Sequence, residues 1–167
     1  MKAKLLSILF VAGIIFMMSS CSADSAEDNS VTAKSQVAVK FEYSVSELAA
    51  MKLINDYRVS IGLNALEPIN YVSVKSEEHD QYMITKNVVS HDGFVSRSED
   101  IVKVVGAKNV GENIAYNYNS PESAVNAWLK SASHKDNIEG NFTHFGIAIR
   151  ENATTGKKYY TNIFVRI

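Results

Sequence analysis

Val110-Gly111-Glu112-Asn113-Ile114-Ala115 is the stretch from which the fold is read, because two histidine-bearing segments flank it. Val89-Ser90-His91-Asp92-Gly93 lies upstream; Ala124-Val125-Asn126-Ala127-Trp128 and then Ser133-His134-Lys135-Asp136-Asn137-Ile138 lie downstream. Asn141-Phe142-Thr143-His144-Phe145-Gly146-Ile147-Ala148 follows as a strand-like run that could bring these segments together. His91, Glu112 and His134 thus come from separate segments, each flanked by small or turn-forming residues, as expected of groups placed by a scaffold.

Working outward, Ser44-Val45-Ser46-Glu47 is a capping-box pattern that opens a helix. Val45, Leu48, Met51, Ile54 and Ile61 recur at helical spacing, and Gly62 suits a left-handed stop. Gly62 to Pro68 reads as a loop, and a second helix is expected from Tyr71 to Lys86, with a short third from Ser98 to Val105. Ser120-Pro121-Glu122 is a helix start: serine caps, proline fits the first position, and glutamate complements the positive end of the dipole. Phe145 to Arg150 and Tyr159 to Arg166 flank a turn-prone Ala153-Thr154-Thr155-Gly156 and read as a hairpin. Helices ahead of a carboxyl-terminal antiparallel sheet give an α+β class.

The amino-terminal residues set a compartment. Lys2 and Lys4 precede an apolar run from Leu5 to Met18 that is too short for a lasting membrane span, so residues 1–21 read as a signal peptide. Met18-Ser19-Ser20-Cys21 looks like a lipobox, with Cys21 lipidated at the mature amino terminus; an ordinary secretory signal cleaved near Ala23 is the alternative. Residues 22–43 are expected to be a flexible tether, since Ser22 to Val39 is rich in Ser, Ala, Asp and Lys, and residues 44–167 the folded domain. Cys21 is the single cysteine among 167 residues, so the domain has no internal disulfide, thiolate ligand or cysteine nucleophile. With 46% hydrophobic residues and a formal charge of -1, the chain has material for one ordinary core and gives no electrostatic reason to bind nucleic acid.

The four segments in this order, from about Glu47 to Ile167, resemble the CAP superfamily of cysteine-rich secretory, antigen-five and pathogenesis-related-one proteins, in its bacterial SCP-like branch. Asn55-Asp56-Tyr57-Arg58 stands where that family shows Asn, x, x, Arg. The resemblance implies an α-β-α sandwich with helices packed around a small antiparallel sheet. It also implies a cleft lined by two histidines and two acids, which in some members binds zinc. His91, Glu112 and His134 match the first histidine, the first acid and the second histidine. The second acid is missing: Lys130 or Ser131 stands at the animal position, and His144 where many bacterial members carry glutamate.

The expected cleft therefore holds His91, Glu112, His134, His144, Ser131 and, on the second helix, His79. His91 and His134, joined by Glu112 and His144, are the candidate zinc ligands, two neutral imidazoles and a carboxylate being suited to zinc with an open position. The same residues could instead form a proton-transfer cluster, and Glu112 could simply pair with Arg58. No His-Glu-x-x-His helix, Gly-x-Ser-x-Gly elbow or phosphate loop is present.

The resulting expectation is an envelope-anchored module that binds a metal, or a lipid, glycan or peptide ligand, and touches the membrane through lipid on Cys21. It would be an outer-membrane or cell-surface lipoprotein, secreted if the lipobox is not used. Two alternatives stay open: a metal-dependent hydrolase of envelope or peptide substrates with Glu112 as its catalytic base, and an interaction protein with a vestigial cleft.

Overall fold

In the computed structural model, residues 39–167 are described. The residues read as a signal peptide, Cys21 and the expected tether up to residue 38 lie outside the described residues. Just ahead of the first helix, Phe41 is buried, and the Tyr43 hydroxyl lies 2.8 Å from Ser73 Oγ.

Helix α1 spans Val45–Ser60. Ser44 Oγ accepts the Glu47 amide while Glu47 Oε2 accepts the Ser44 amide, so the predicted capping box closes. The expected apolar stripe is only half used. Ala50, Met51 and Ile54 enter the core, whereas Val45, Leu48 and Ile61 are exposed, because the helix beds only one narrow face on its neighbours. Beyond it come β1 (Glu67–Pro68), α2 (Asn70–Lys86), α3 (Phe94–Val105), β2 (Asn109–Tyr116), α4 (Pro121–Lys130), α5 (Ala132–Ile138), β3 (His144–Glu151) and β4 (Lys158–Arg166).

The four strands form one sheet in the order β1-β3-β4-β2. The predicted hairpin is the antiparallel β3–β4 pair, and β2 lies antiparallel on the other side of β4. The sheet is mixed where an antiparallel one was expected. Glu67 and Pro68, inside the expected loop, run parallel to His144 and Phe145, since Glu67 and Ile69 donate their amides to the carbonyls of Thr143 and Phe145. Helix α3 starts at Phe94, four residues before the expected Ser98, because Gly93 in a left-handed conformation (φ 70°) ends the preceding turn and caps it.

Each face of the sheet carries helices, which gives the α-β-α sandwich. On one face Met51, Ile54, Ala124, Trp128 and Ile138 from α1, α4 and α5 pack on Phe145, Ile147, Tyr160 and Phe164. On the other, Val72 of α2 and Ile101 of α3 meet Ile163 and Val165. Alternate strand residues serve alternate faces, as the pleat requires.

Two contacts fix how closely the layers approach. A Cβ on Gly146 would lie 2.3 Å from the Ser73 amide nitrogen, so only glycine lets α2 settle onto β3. There Ser73 Oγ accepts the Ile147 amide and Ser76 Oγ donates to the Gly146 carbonyl, covering β3 where short β1 no longer pairs with it. Arg58, fully buried, donates to the carbonyls of Asn64, Ile138, Gly140 and Phe142, tying α1 to the segment that leads from α5 into β3.

Candidate functional site

Glu112 sits on β2 with its side chain 1% exposed, and both its oxygens are occupied. His91 Nδ1 lies 2.9 Å from Oε1; a carboxylate only accepts, so Nδ1 carries a proton, and Nε2 makes no hydrogen bond among the described residues. Arg97 donates to Oε2 through Nε at 2.9 Å and Nη2 at 2.6 Å. Its Nη1 also donates to the Asp92 carbonyl at 3.2 Å, so one guanidinium holds both the carboxylate and the turn that carries His91.

That turn has a second anchor. His79, on α2 and 2% exposed, donates Nε2–H to the Ser90 carbonyl at 2.8 Å. Burial, reinforced by Arg97, holds the His79 imidazole below its ordinary pKa and so neutral. The rim position of His91, whose side chain is 55% exposed, follows from these supports.

His134 is delivered by α5. Its Nδ1 is 2.9 Å from Ser131 Oγ, at the junction of α4 and α5, and its backbone carbonyl accepts from Asn113 Nδ2. Asn137 Nδ2 donates to Asn113 Oδ1 and to the Glu112 carbonyl, so the two asparagines lace α5 to β2. Gly111 permits the lacing, because a Cβ there would come within 2.8 Å of Asn137 Oδ1. Burial, and then the charge of His91, lower the His134 pKa. The ring and Ser131 line a cavity of about 270 Å³ whose other walls include Val89, Tyr116, Tyr118 and Trp128. Trp128 itself is core, and its Nε1–H donates to the Ile114 carbonyl on β2.

The structure thus brings together His91, Glu112, His134 and Ser131, with His79 one layer behind, and leaves His144 apart. His144 and Glu112 face the same side of the sheet, but β4 lies between their strands and Val72, Ile163 and Val165 fill the space. At the β1 edge, His144 Nδ1 instead contacts Thr143 Oγ1 at 2.8 Å, with Nε2 3.8 Å from Glu67. Arg58, offered as a partner for Glu112, is spent on backbone carbonyls. The residue that sequence reading missed is Arg97, which lies just ahead of the third helix expected from Ser98; Asn113 and Asn137 were visible in their motifs but carried no assigned role.

This donor set does not fit a resident zinc ion. A catalytic zinc takes three protein ligands and a structural one four. Here Glu112 is committed to Arg97 and His91, and His144 is remote, leaving the Nε2 atoms of His91 and His134. Among the described residues, no three His, Cys, Asp or Glu side chains are grouped to hold a metal ion.

The comparisons with known proteins agree with this architecture. The model of the CAP family, the cysteine-rich secretory protein family, matches residues 51–165. The chain belongs to the CAP family. This CAP domain is 34% identical over 115 residues to the uncharacterized protein YkwD of Bacillus subtilis, covering 66% of this chain and 45% of that protein. It is 32% identical over 130 residues to the uncharacterized membrane protein YlbC of the same species, covering 74% and 35%. The matched region therefore spans less than half the length of either relative. Among solved structures, an extracellular protein containing an SCP domain from Bacillus anthracis superposes with a TM-score of 0.64 at 26% identity, over 73% of this chain and 40% of the other. An outer surface protein from Borrelia burgdorferi shares the CAP fold at a TM-score of 0.68 and 18% identity, over 76% and 96%.

Proposed function

We propose that this chain is an exported CAP module that binds a small ligand in the cleft between His91 and His134. The observation that carries the reading is the full commitment of Glu112 to His91 and Arg97, which leaves two anchored imidazole edges and Glu112 unavailable as a base. The tyrosine- and tryptophan-walled cavity beside His134 supplies an apolar seat, so the fitting ligand has an apolar body and a polar end that meets the imidazoles. Export is supported by the signal-like residues 1–21 and by the extracellular SCP-domain protein among the structural neighbours. Attachment through lipid on Cys21 is part of the proposal.

One observation favours the enzyme reading. A histidine whose Nδ1–H is held by a carboxylate, with Nε2 free, is the arrangement of a general base. It lacks a nucleophile, since Ser131 Oγ contacts Nδ1 of His134 and makes no hydrogen bond to His91. Glu112 would have to release Arg97 and His91 to act as the base.

The test combines ligand-observed NMR against lipids, muropeptide glycans and peptides with hydrolysis assays on the same compounds. Binding lost in Tyr118→Ala and His134→Ala, without turnover, is expected. Turnover abolished by His91→Ala would overturn the binding-module reading. Stoichiometric zinc uptake that His91→Ala and His134→Ala both abolish would restore a metal site.

A further inference from the structure

Helix α2 and the start of α3 face each other across a groove of about 450 Å³, in the size range of small-ligand sites. Lys75, Glu78, His79 and Tyr82 are spaced to share one face of α2, and Ser96, Arg97 and Asp100 line the facing wall. The residues lining it are predominantly polar or charged, whereas deeper in the fold the same two helices join one apolar cluster through Val72 and Ile101. The groove lies on the Arg97 side of Glu112, separate from the cavity beside His134.

The donors and acceptors in it are unequal. Arg97 is already spent on Glu112 and the Asp92 carbonyl. Lys75 Nζ is 2.9 Å from Glu78 and 3.5 Å from Asp100, and 5.5 Å from the centre of the Tyr71 ring. What remains for a ligand is acceptor: Lys75 takes one oxygen each of Glu78 and Asp100, and the Tyr82 hydroxyl donates to Asp92 Oδ2 at 3.0 Å, so one oxygen of each of the three carboxylates has no hydrogen bond among the described residues. His79 adds to this. It is 2% exposed, lines the groove, and has its Nε2–H spent on Ser90, so Nδ1 is an acceptor with no hydrogen bond among the described residues. Tyr82 stacks on His79 with ring centroids 5.9 Å apart and is 38% exposed, offering an aromatic face.

We propose that this groove is a second binding site, for a primary ammonium group carried on a flexible carbon chain. Carboxylates and an imidazole acceptor take the three N–H donors, and the Tyr82 face takes the carbon stem and part of the charge. Lys75 already shows the mode, with its own ammonium between two carboxylates and over a tyrosine ring. A lysine side chain of a peptide and a free diamine carry the same chemistry.

The test is amide-shift NMR on the full chain with diaminopentane, Nα-acetyl-lysine amide and the neutral diacetyl-lysine amide. Either ammonium probe should shift resonances of α2 and α3 around His79 and Tyr82, and the neutral one should not. A response to the lysine derivative alone assigns a peptide side chain; a stronger response to the diamine assigns a free amine. Lys75→Met, which frees two carboxylates, should tighten binding severalfold. Tyr82→Ala should weaken it about threefold, the size of an exposed cation–π contact. Silence from both ammonium probes, equal shifts from the neutral compound, or weaker binding in Lys75→Met would overturn the proposal. Because it uses a different wall, it stands or falls apart from the His91–His134 reading.

Discussion

Arg97 and Glu112 form a buried ion pair, with side chains 10% and 1% exposed, and its energetics belong to the residue scale. Such a pair is costly to break on one side, because the survivor keeps a buried charge without its partner. Arg97→Met should lower unfolding stability by about 3–5 kcal/mol in urea titration, and adding Glu112→Gln should recover part of the loss. A single-variant loss under about 1 kcal/mol would show that the pair is effectively solvated. Gly146 makes a different demand. Gly146→Ala forces a Cβ against backbone of α2 and should cost about 3 kcal/mol, read from the same titration. The identities of His91, Glu112 and His134 were legible in the sequence. The partner of Glu112 was not, because a buried carboxylate's partner is whichever cation the fold brings near, and Arg58 and Arg97 look alike in one dimension.

Elements differ in how far the sequence discloses them, for separate physical reasons. Helices α1 and α4 announce themselves through side-chain caps, a local chemistry that needs no tertiary partner. Helix α3 has a glycine and no side-chain hydrogen bond at its start, so its first turn carries no such signal. Strand β1 has two residues, and only pairing with β3 makes it a strand. Seven-residue α5 is similarly dependent, being held by Asn113 and Asn137. Gly111→Ala should therefore act on α5 as a unit. The resonances of His134 and Asn137 should move while those of α1 stay, and stability should fall by about 1–3 kcal/mol. Unchanged His134 resonances would sever the link drawn between Gly111 and the cleft.

For the whole molecule, pH acts through groups that the sandwich buries. Asp80 on α2 accepts from Thr161 Oγ1 at 2.6 Å through Oδ1, has no partner on Oδ2 among the described residues, and is pushed well above the ordinary carboxylate range by burial. The folded chain then holds this proton more tightly than the unfolded chain, so stability falls as pH rises from the ordinary carboxylate value through the raised folded one. Asp80→Asn keeps a neutral group there and should remove that slope. Its advantage in melting temperature over the parent should widen as pH increases, and a gap constant with pH would refute the assignment. His79 and His134, lowered by burial, act oppositely: the unfolded chain takes up their protons more readily, so stability is lost as pH falls through the ordinary histidine range.

By itself the sequence determined the α+β class, four helices, the hairpin, the CAP membership and the segments that carry His91, Glu112 and His134. These rest on local signals: caps, period, turn residues and motif order. Only the tertiary structure decided that Glu112 is held by Arg97, that His144 lies across the sheet behind Val72, Ile163 and Val165, and that α2 and α3 leave a polar groove. Each of those outcomes depends on which strands become neighbours and how closely layers approach, a distance set by Gly146 and Gly111 through close packing between segments far apart in the chain.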